Sequence, residues 1–449
     1  MSIRKVRRGR EPSYPGLKIA GISAKIPDLR SLDWSGSETI LITRTIAMAI
    51  KTISDIDVVG KKVLMRVDFN VPLADGKITD DKRIAAALPS INRVIESGGK
   101  LILMSHLDRP KGEVKPEFSL KPVADRLGEL IGQEVQMGPT DIAGPEAVEM
   151  ARTLEAGEVL LLENVRFDPR EKSKDVEQVK EFGRELAALG EVYVNDAFGT
   201  CHRNHASMWG APQAIQAAGG PAVAGFLVEK EIKYLDEAVA QPARPFTAIL
   251  GGAKVSEKIK LVSTLLDKVD KIIIGGAMAY TFQKSQGVET GSSLVEEDQI
   301  EAMKELLARA GDKIVLPCDH TCTDDFDNGA LIPNADVNIP DGLMGLDIGP
   351  KSIQAFSDII TGSKTVIWNG PMGVFEKPDF ADGTESVARA VAEATDGGAI
   401  SVIGGGDSAA AVGQMGLADR MTHVSTGGGA SLTYLEGKPM GPIEILDQK

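Results

Sequence analysis

Basic side chains recur at the ends of apolar runs in the first half of this 449-residue chain. The segments SHLDRP (105–110), ENVRF (163–167) and NDAFGTCHRNH (195–205) each follow such a run, and each carries arginine or histidine. Arginine presents a planar fork of donors that fits phosphate and carboxylate groups. Because clustered cations would repel one another without a ligand, the pattern predicts a site for a small, strongly anionic metabolite. The candidates are His106, Arg109, Arg166, His202, Arg203 and His205.

Further candidates lie upstream of this cluster. Asp68 and Asn70 flank Phe69 in the run RVDFNV and suit hydroxyl or carboxylate recognition, although turn chemistry alone explains most such pairs. Arg83 lies near the start of a predicted helix over 79–96, where a cation opposes the helix dipole. Either the two preceding aspartates neutralise Arg83, or Arg83 faces an anion.

The apolar runs of the second half end in glycines. In GGAKVSEK (251–258), the glycines would let backbone amides approach a phosphate. Lys254 and Lys258 are four residues apart, which we interpret as one face of a helix. A P-loop is excluded because no G-x-x-x-x-G-K-[ST] segment occurs. The segment WNGPMGVFE (368–376) adds Asn369 and Glu376 as candidates, and Glu376 is either a ribose ligand or a plain surface acid.

Two more glycine segments, GGGDSA (404–409) and TGGGAS (426–431), are predicted to open helices whose amides face an anion. The first also fits the loose dinucleotide pattern G-x-G-x-x-A. Asp407 argues against a dinucleotide, because a carboxylate inside a phosphate cradle is repulsive unless a metal bridges it. Mg²⁺ takes one or two carboxylates together with substrate phosphates. The second half is therefore predicted to bind a Mg-nucleotide.

These residues need parallel strands to position them. Near-continuous apolar runs alternate with helical patterns, which indicates an α/β fold of two doubly wound (Rossmann-like) parallel-sheet domains joined by a connector helix. In such sheets, ligands bind outside the carboxyl ends of the strands. The predicted strands lie within 61–71, 100–107, 158–165, 191–198, 245–252, 271–278, 313–320, 364–370, 399–406 and 423–428. The predicted domains are a first domain over 48–224, a connector helix over 225–242, a second domain over 243–431 and a tail over 432–449.

Composition limits the function classes. A net charge of −14 argues against a nucleic-acid binder, and no apolar run is long enough to span a membrane. Three cysteines favour reduced thiols and a cytoplasmic setting. Residues 1–47 carry nine Lys or Arg and four acids, which fits an unstructured leader, an organellar transit peptide or a structured arm.

The segments RVDFNVP, MSHLDRP, LLENVRF, YVNDAFGTCHR, LGGAKVSEKI, VIWNGPMGVFE, GGGDSAAA and VSTGGGASL together resemble the phosphoglycerate kinase family. The resemblance runs from about Met48 to the C-terminus. It implies reversible phosphoryl transfer between 1,3-bisphosphoglycerate and ADP, giving 3-phosphoglycerate and ATP in glycolysis. It also implies in-line transfer after domain closure, Mg²⁺ dependence, a monomer, and a tail that packs on the first domain.

The resemblance also implies roles for individual residues. Ligands of 3-phosphoglycerate would be Asp68, Phe69, Asn70, Arg83, His106, Leu107, Asp108, Arg109, Arg166 and Arg203. Nucleotide ligands would be Gly252, Lys254, Lys258, Gly345, Asn369, Glu376, Gly405, Gly406, Asp407 and Ser408, with Asp407 on Mg²⁺. Catalytic groups would be Arg83, Lys254, Gly406 and Gly429, with an amide near Gly428 also facing the transition state.

One position departs from the family pattern, because Asp108 stands where the family normally has glycine. Two alternative functions stay open on the residues alone. An NAD-dependent oxidoreductase would rest on GGGDSA, with Asp419 as its only acid at the expected distance. A non-enzymatic polyanion-binding protein would rest on the arginine cluster.

Overall fold

The computed structural model describes residues 50–240 and 242–449, so the predicted leader over 1–47 lies outside the described residues. Two six-stranded sheets dominate the described part of the chain. All strand pairs within both sheets are parallel. The predicted α/β class with two parallel sheets is therefore confirmed.

The first sheet contains four of the predicted runs. Its strand KVLMRV is buried at five of six positions, as expected for a strand covered on both faces. The order across the sheet is Val135–Met137, Val159–Leu161, Lys100–Met104, Lys62–Val67, Val192–Asp196 and Ala222–Ala224. The two edge strands were not predicted.

The second sheet contains the other six predicted runs. Its order is Ile314–Val315, Lys271–Ile274, Phe246–Leu250, Thr365–Asn369, Ile400–Gly404 and His423–Val424. The sequence did not reveal two smaller antiparallel sheets. They are Leu73–Ala74 with Lys77–Ile78, and Ile332–Asn334 with His320–Thr323 and Met344–Ile348.

Helices cover both sheets through apolar stripes. In Lys82–Glu96, for example, Ile84, Ile91 and Val94 are buried against the first sheet's core. Among the described residues, the α-helices are Lys82–Glu96, Lys121–Ile131, Pro145–Thr153, Val176–Ala187, Ala211–Ala217, Phe226–Ala240, Ile259–Leu266, Met278–Ser285, Ile300–Ala310, Pro350–Thr361, Asp382–Asp396, Gly406–Gln414, Gly429–Leu435 and Gly441–Glu444. No helix among the described residues combines the length and the apolar character that a bilayer crossing requires.

The helix Phe226–Ala240 connects the two sheets. Asp196, at the end of a first-sheet strand, accepts hydrogen bonds from the amides of Leu227 (2.8 Å) and Val228 (3.4 Å) at the start of this helix. Further along, the buried Glu231 accepts from the backbone amide of Thr426 at 2.8 Å and contacts His423 at 2.7 Å. The helix is therefore bonded to both halves of the chain.

The last residues return to the first sheet. The Asp447 amide donates to the Ala222 carbonyl at 2.8 Å, and the Lys51 amide donates to the Asp447 carbonyl at 2.7 Å. Asn195 donates to the Pro442 carbonyl at 3.0 Å. These contacts join the C-terminal segment to the strands that carry the basic cluster.

Candidate active site

The carboxyl ends of the first sheet's strands bring acidic and basic candidates together. Arg83 donates to Asp68 at 3.2 Å, and His106 lies 3.9 Å from the other carboxylate oxygen of Asp68. The acids before Arg83 are paired elsewhere, since Asp80 contacts Lys82 and Asp81 contacts Arg126. The alternative in which these two aspartates neutralise Arg83 is therefore not what the structure shows.

The segment 105–109 is held in place by two of the predicted ligands. The Asn70 side-chain oxygen accepts the amide of Asp108 at 2.8 Å, and Arg166 donates to the Asp108 carbonyl at 2.6 Å. Asp108 has φ of 50°, a left-handed conformation that favours glycine but is also accessible to aspartate. The Asp108 side chain is exposed, as is that of Arg109. Phe69 and Leu107 are buried in the apolar core beneath the loop.

The electrostatics of this cluster are those of crowded cations. Burial lowers the pKa of His106 well below its usual value, and Arg66, Arg166 and Arg83 lower it further. Burial and the neighbouring arginines lower the pKa of His205 to about 3, and burial together with Arg66 lowers the pKa of Arg166 to about 10. Each shift shows that the cluster disfavours additional positive charge. A bound anion would offset the repulsion between these cations.

Several polar atoms of the cluster are buried without a partner in the described part of the chain. They are Arg166 Nε, His202 Nδ1 and His205 Nδ1. Buried polar atoms are normally hydrogen-bonded, so such a group in one place indicates a ligand site. Arg203 is exposed beside them.

Arg66 belongs to the same cluster but was missed from the sequence. It is fully buried, and it contacts His106 Nδ1 at 3.1 Å and Ser207 at 2.9 Å. Its only signal was a charged residue within an otherwise apolar strand, KVLMRV. A fully buried arginine is unusual enough that this signal could have been used.

The second half encloses a cavity of about 360 Å³ at the carboxyl ends of its strands. Most of the predicted phosphate-binding residues line it. The lining comprises Gly252, Ala253, Lys254, Glu257, Lys258, Asn369, Gly370, Gly405, Gly406, Asp407, Ser408, Gly428, Gly429 and Leu432.

Two helix N-termini open into this cavity. The helices Gly406–Gln414 and Gly429–Leu435 both begin after glycines with positive φ, 91° at Gly405 and 50° at Gly428. Neither helix has a side-chain cap, so first-turn amides remain free to bind an anion.

Three side chains around the cavity have distinct environments. The side-chain nitrogen of Asn369 is buried without a partner among the described residues, which makes it a donor available to a ligand. The Ser408 hydroxyl has a structural role, because it accepts a hydrogen bond from the Gly370 amide at 2.6 Å. Lys258 donates to the carbonyls of Asn369 (3.0 Å) and Gly251, and burial lowers its pKa to about 8.

The helical-face interpretation of Lys254 and Lys258 was wrong. The helix begins only at Ile259, so both lysines lie in the turn that precedes it. They still line the same cavity. Lys254 is exposed, and its nearest acid, Glu257, lies 3.9 Å away.

The environment of Asp407 suits a magnesium ion whose other ligands are mainly phosphate oxygens. Its side chain is exposed at the cavity and has no hydrogen bond or ion pair within residues 50–240 and 242–449. In those same residues, no group of three metal-binding side chains occurs. One free carboxylate beside a phosphate cradle is the donor set expected when nucleotide phosphates and water supply the other ligands.

Gly345 and Glu376 lie outside the residues that line this cavity. Gly345 is buried, and a Cβ there would collide with the Tyr280 hydroxyl, so packing alone accounts for the glycine. Glu376 is exposed. Its segment is joined to the strand Met344–Ile348, which contains Gly345, because the Val374 amide donates to the Leu346 carbonyl at 2.8 Å.

The two sites meet at one place. A Cβ built on Gly429 would lie 3.9 Å from His202 Nε2, and a Cβ built on Gly199 would lie 3.5 Å from the Thr426 carbonyl. The open helix N-terminus of the nucleotide cavity therefore adjoins the basic cluster of the first sheet.

A basic cluster and a glycine-lined cavity on two adjacent parallel-sheet domains are the arrangement expected of a phosphotransferase. The model of the family described as phosphoglycerate kinase matches residues 53–438. The chain belongs to the phosphoglycerate kinase family. Its activity is the corresponding kinase reaction of glycolysis (EC 2.7.2.3), and the oxidoreductase and polyanion-binding alternatives are wrong.

Individual relatives agree with this assignment. A phosphoglycerate kinase of Rhodopirellula baltica is 55% identical over 406 residues, covering 89% of this chain and 100% of the relative. One from Clostridioides difficile is 55% identical over 404 residues, covering 89% and 98%. The solved structure of phosphoglycerate kinase from Coxiella burnetii is 36% identical, with a TM-score of 0.77, and the match covers 88% of this chain and 98% of that one.

Proposed function

We propose that the first-sheet domain binds 3-phosphoglycerate, that the second-sheet domain binds MgATP, and that the phosphoryl group passes directly between them. The observation that carries this proposal is the proximity of Gly429 to His202, because an uncapped helix N-terminus of the glycine-lined cavity, suited to phosphate, then lies beside the basic cluster. The acceptor ligands are the residues already assigned to 3-phosphoglycerate. The donor ligands are those that line the glycine cavity, with Gly345 and Glu376 contributing to the nucleoside.

Arg83 and Lys254 are the mobile cations of the reaction. Arg83 is held by Asp68 in the structure and is only partly buried, so it can leave that carboxylate and contact the transferring group. Lys254 is exposed and lies 3.9 Å from its partner Glu257, so it can move with the transferring phosphoryl group. The amides of Gly406 and Gly429 offer fixed donors to the charge that develops on the phosphoryl oxygens.

The chemistry needs no general base. The carboxylate of 3-phosphoglycerate is already ionised, so one of its oxygens attacks the γ-phosphorus while the bond to the bridging oxygen of ADP breaks. The products are 1,3-bisphosphoglycerate and ADP, and every step reverses. Bound Mg²⁺ would neutralise charge on the nucleotide phosphates, with Asp407 as its protein ligand.

Domain closure brings the reacting atoms together and excludes water from the acyl phosphate. The connector helix is the element that both halves share, through Asp196 on one side and Thr426 on the other. We assign the first domain to 48–224, the connector to 225–242, the second domain to 243–431 and the tail to 432–449. The protein acts as a monomer in the cytoplasm, consistent with three unpaired cysteines within the described residues.

The assignment of 3-phosphoglycerate to the first domain is tested with Arg203→Met. Arg203 is exposed in the basic cluster, so its loss should spare the fold. Calorimetric titration should show 3-phosphoglycerate binding weakened by about tenfold, the effect of one charge-assisted contact, with MgADP binding unchanged. Arg152→Met, which removes an exposed arginine from a helix of the same domain, is the matched control. Unchanged 3-phosphoglycerate binding in Arg203→Met would contradict the assignment.

A further inference from the structure

A chain of hydrogen bonds runs beneath the anion cluster from Glu171 to His106. The Ser207 hydroxyl contacts Glu171 at 2.7 Å, Arg66 Nε contacts the same hydroxyl at 2.9 Å, and an Arg66 terminal nitrogen lies 3.1 Å from His106 Nδ1. Glu171, Ser207 and Arg66 are all fully buried, and His106 is 4% exposed. None of the first three was singled out by sequence spacing.

The direction of each bond follows from the donor inventory. Arginine can only donate, so the Ser207 oxygen accepts from Arg66, and the Ser207 hydroxyl donates to the nearer Glu171 oxygen at 2.7 Å. The other oxygen of Glu171 accepts the Ser207 amide at 2.9 Å, so both oxygens accept, which is the pattern of an ionised carboxylate. Burial raises the pKa of Glu171, while Arg66 and the two Ser207 donors oppose that effect.

The Glu171 carboxylate is the negative charge that balances Arg66, and the Ser207 hydroxyl bridges the two groups. Arg66 makes no ion pair within 4.0 Å among the described residues, although it is fully buried. Its contacts are Ser207, His106 and the Val67 carbonyl. The segment that carries Glu171 is itself fixed, because the adjacent Arg170 contacts Asp168 and Glu185, both at 2.7 Å.

The same logic assigns the tautomer of His106. Because Arg66 donates to Nδ1, that nitrogen carries a lone pair, and the ring proton lies on Nε2. The competing partner, Asp68, lies 3.9 Å from Nδ1, too far for a hydrogen bond. Arg166 and Arg83 also act on His106, and both disfavour the imidazolium form.

We propose that Glu171 is a positioning residue, which acts through Ser207 and Arg66 to hold His106 as a neutral imidazole that presents Nε2–H to the substrate anion. The proposal rests on the proposed function, in which His106 contacts 3-phosphoglycerate. The site would then use His106 as a hydrogen-bond donor and leave charge neutralisation to the arginines.

The test uses ¹⁵N-histidine NMR of the full-length protein, with the five histidines resolved by comparison with a His106→Gln variant. Wild-type His106 should show one neutral form with the proton on Nε2 near neutral pH, because burial and the neighbouring arginines lower its pKa well below the usual value. Glu171→Gln and Ser207→Ala should give a mixture of tautomers. In steady-state assays both variants should raise the KM for 3-phosphoglycerate about tenfold, the effect of a lost hydrogen bond, and leave the KM for MgATP unchanged.

Asp319→Asn is the matched control for lost stability. Asp319 is a fully buried carboxylate in the second domain, and it accepts both the amide (2.8 Å) and the hydroxyl (2.6 Å) of Ser352. This variant should lose thermal stability without changing the His106 signals or the KM for 3-phosphoglycerate. Ser207→Ala retains the buried charges of Glu171 and Arg66. It therefore tests the proposal even if Glu171→Gln fails to fold.

An Nδ1–H or protonated His106 in the wild type would overturn the proposal. Wild-type His106 signals and KM in a folded Glu171→Gln or Ser207→Ala variant would do the same. A normal KM for 3-phosphoglycerate in His106→Gln would instead refute the proposed role of His106 and leave the tautomer assignment standing.

Discussion

Arg83 donates to Asp68 at 3.2 Å, so the proposed catalytic cation is held by a proposed substrate-binding carboxylate. Arg83 lies in the first turn of its helix, where the helix dipole disfavours positive charge. Its position is therefore maintained by Asp68 until an anionic group competes for the guanidinium. This pairing keeps the cation beside the anion cluster and still allows it to move when substrate binds.

Arg83→Ala should lower kcat by about 100-fold or more, because a donor aimed at developing charge contributes mainly in the transition state. The KM for MgATP should change little. Steady-state kinetics of ADP formation provide the measurement, and Lys82→Ala is the control, since Lys82 is a neighbouring exposed cation paired with Asp80. A normal kcat in Arg83→Ala would remove Arg83 from the catalytic groups.

Asp407→Ala should raise the KM for MgATP by at least about tenfold, because one charged contact to the metal–phosphate group is lost. Binding of 3-phosphoglycerate, titrated separately, should be unchanged. Asp419→Ala is a suitable control because Asp419 is an exposed acid just after the same helix. Loss of 3-phosphoglycerate binding with intact MgADP binding would reverse the assignment of the two domains.

Affinity for MgADP should fall above about pH 8. In the free protein, burial lowers the pKa of Lys258 to about 8, whereas bound phosphate would favour the protonated amine and raise that pKa. Affinity is then constant below the pKa of the free protein and falls by about tenfold per pH unit above it. Titration calorimetry from about pH 7 to pH 9.5 measures this dependence. Lys258→Met should bind more weakly and show no such decline; a decline of equal steepness in that variant would assign the titration to another group.

Asp108→Gly should lower the KM for 3-phosphoglycerate by about two- to threefold at low ionic strength, because an exposed carboxylate next to the anion site is removed. Glycine accepts the φ of 50° found at this position, so the loop should keep its shape. No pairing of Asp108 with Arg109 or Lys111 occurs in the described ranges. Asp75→Gly removes another aspartate with positive φ (49°) and serves as the control. A KM that rises, or that does not depend on salt, would mean that Asp108 orients the loop instead.

The sequence predicts the strands that carry the sites because each lies in a near-continuous apolar run, as expected for strands covered on both faces, even where the strand itself is as short as Val159–Leu161. It fails for the edge strands Val135–Met137 and Ala222–Ala224, because neither lies within a longer apolar run. The antiparallel strand Ile332–Asn334 fails for a related reason: it is short, contains a proline and is partly exposed. The resulting fold class is correct, but the smaller sheets needed the structure.

The candidate site residues also divide into those that the sequence predicts and those that it misses. Residues at strand ends, such as Arg166 and Asn369, are found because parallel strands place their carboxyl ends together. Arg66 is hidden inside a strand, and Glu171 and Ser207 lie in the short helical segments Pro169–Lys172 and Ala206–Gly210, where no spacing rule marks them. Their relationship depends on tertiary packing, which composition and periodicity do not specify. The spacing of Lys254 and Lys258 gave the right cavity for the wrong reason, because a turn and not a helix brings them together.

The central claim is a direct transfer between two ligands held by different domains. The most direct test is the stereochemistry at phosphorus, measured with ATP made chiral at the γ-phosphoryl group by oxygen isotopes and 3-phosphoglycerate as acceptor. A single in-line displacement inverts the configuration, so the product 1,3-bisphosphoglycerate should carry an inverted phosphoryl group. Retention of configuration would mean two successive displacements through a covalent enzyme intermediate, and would contradict direct transfer.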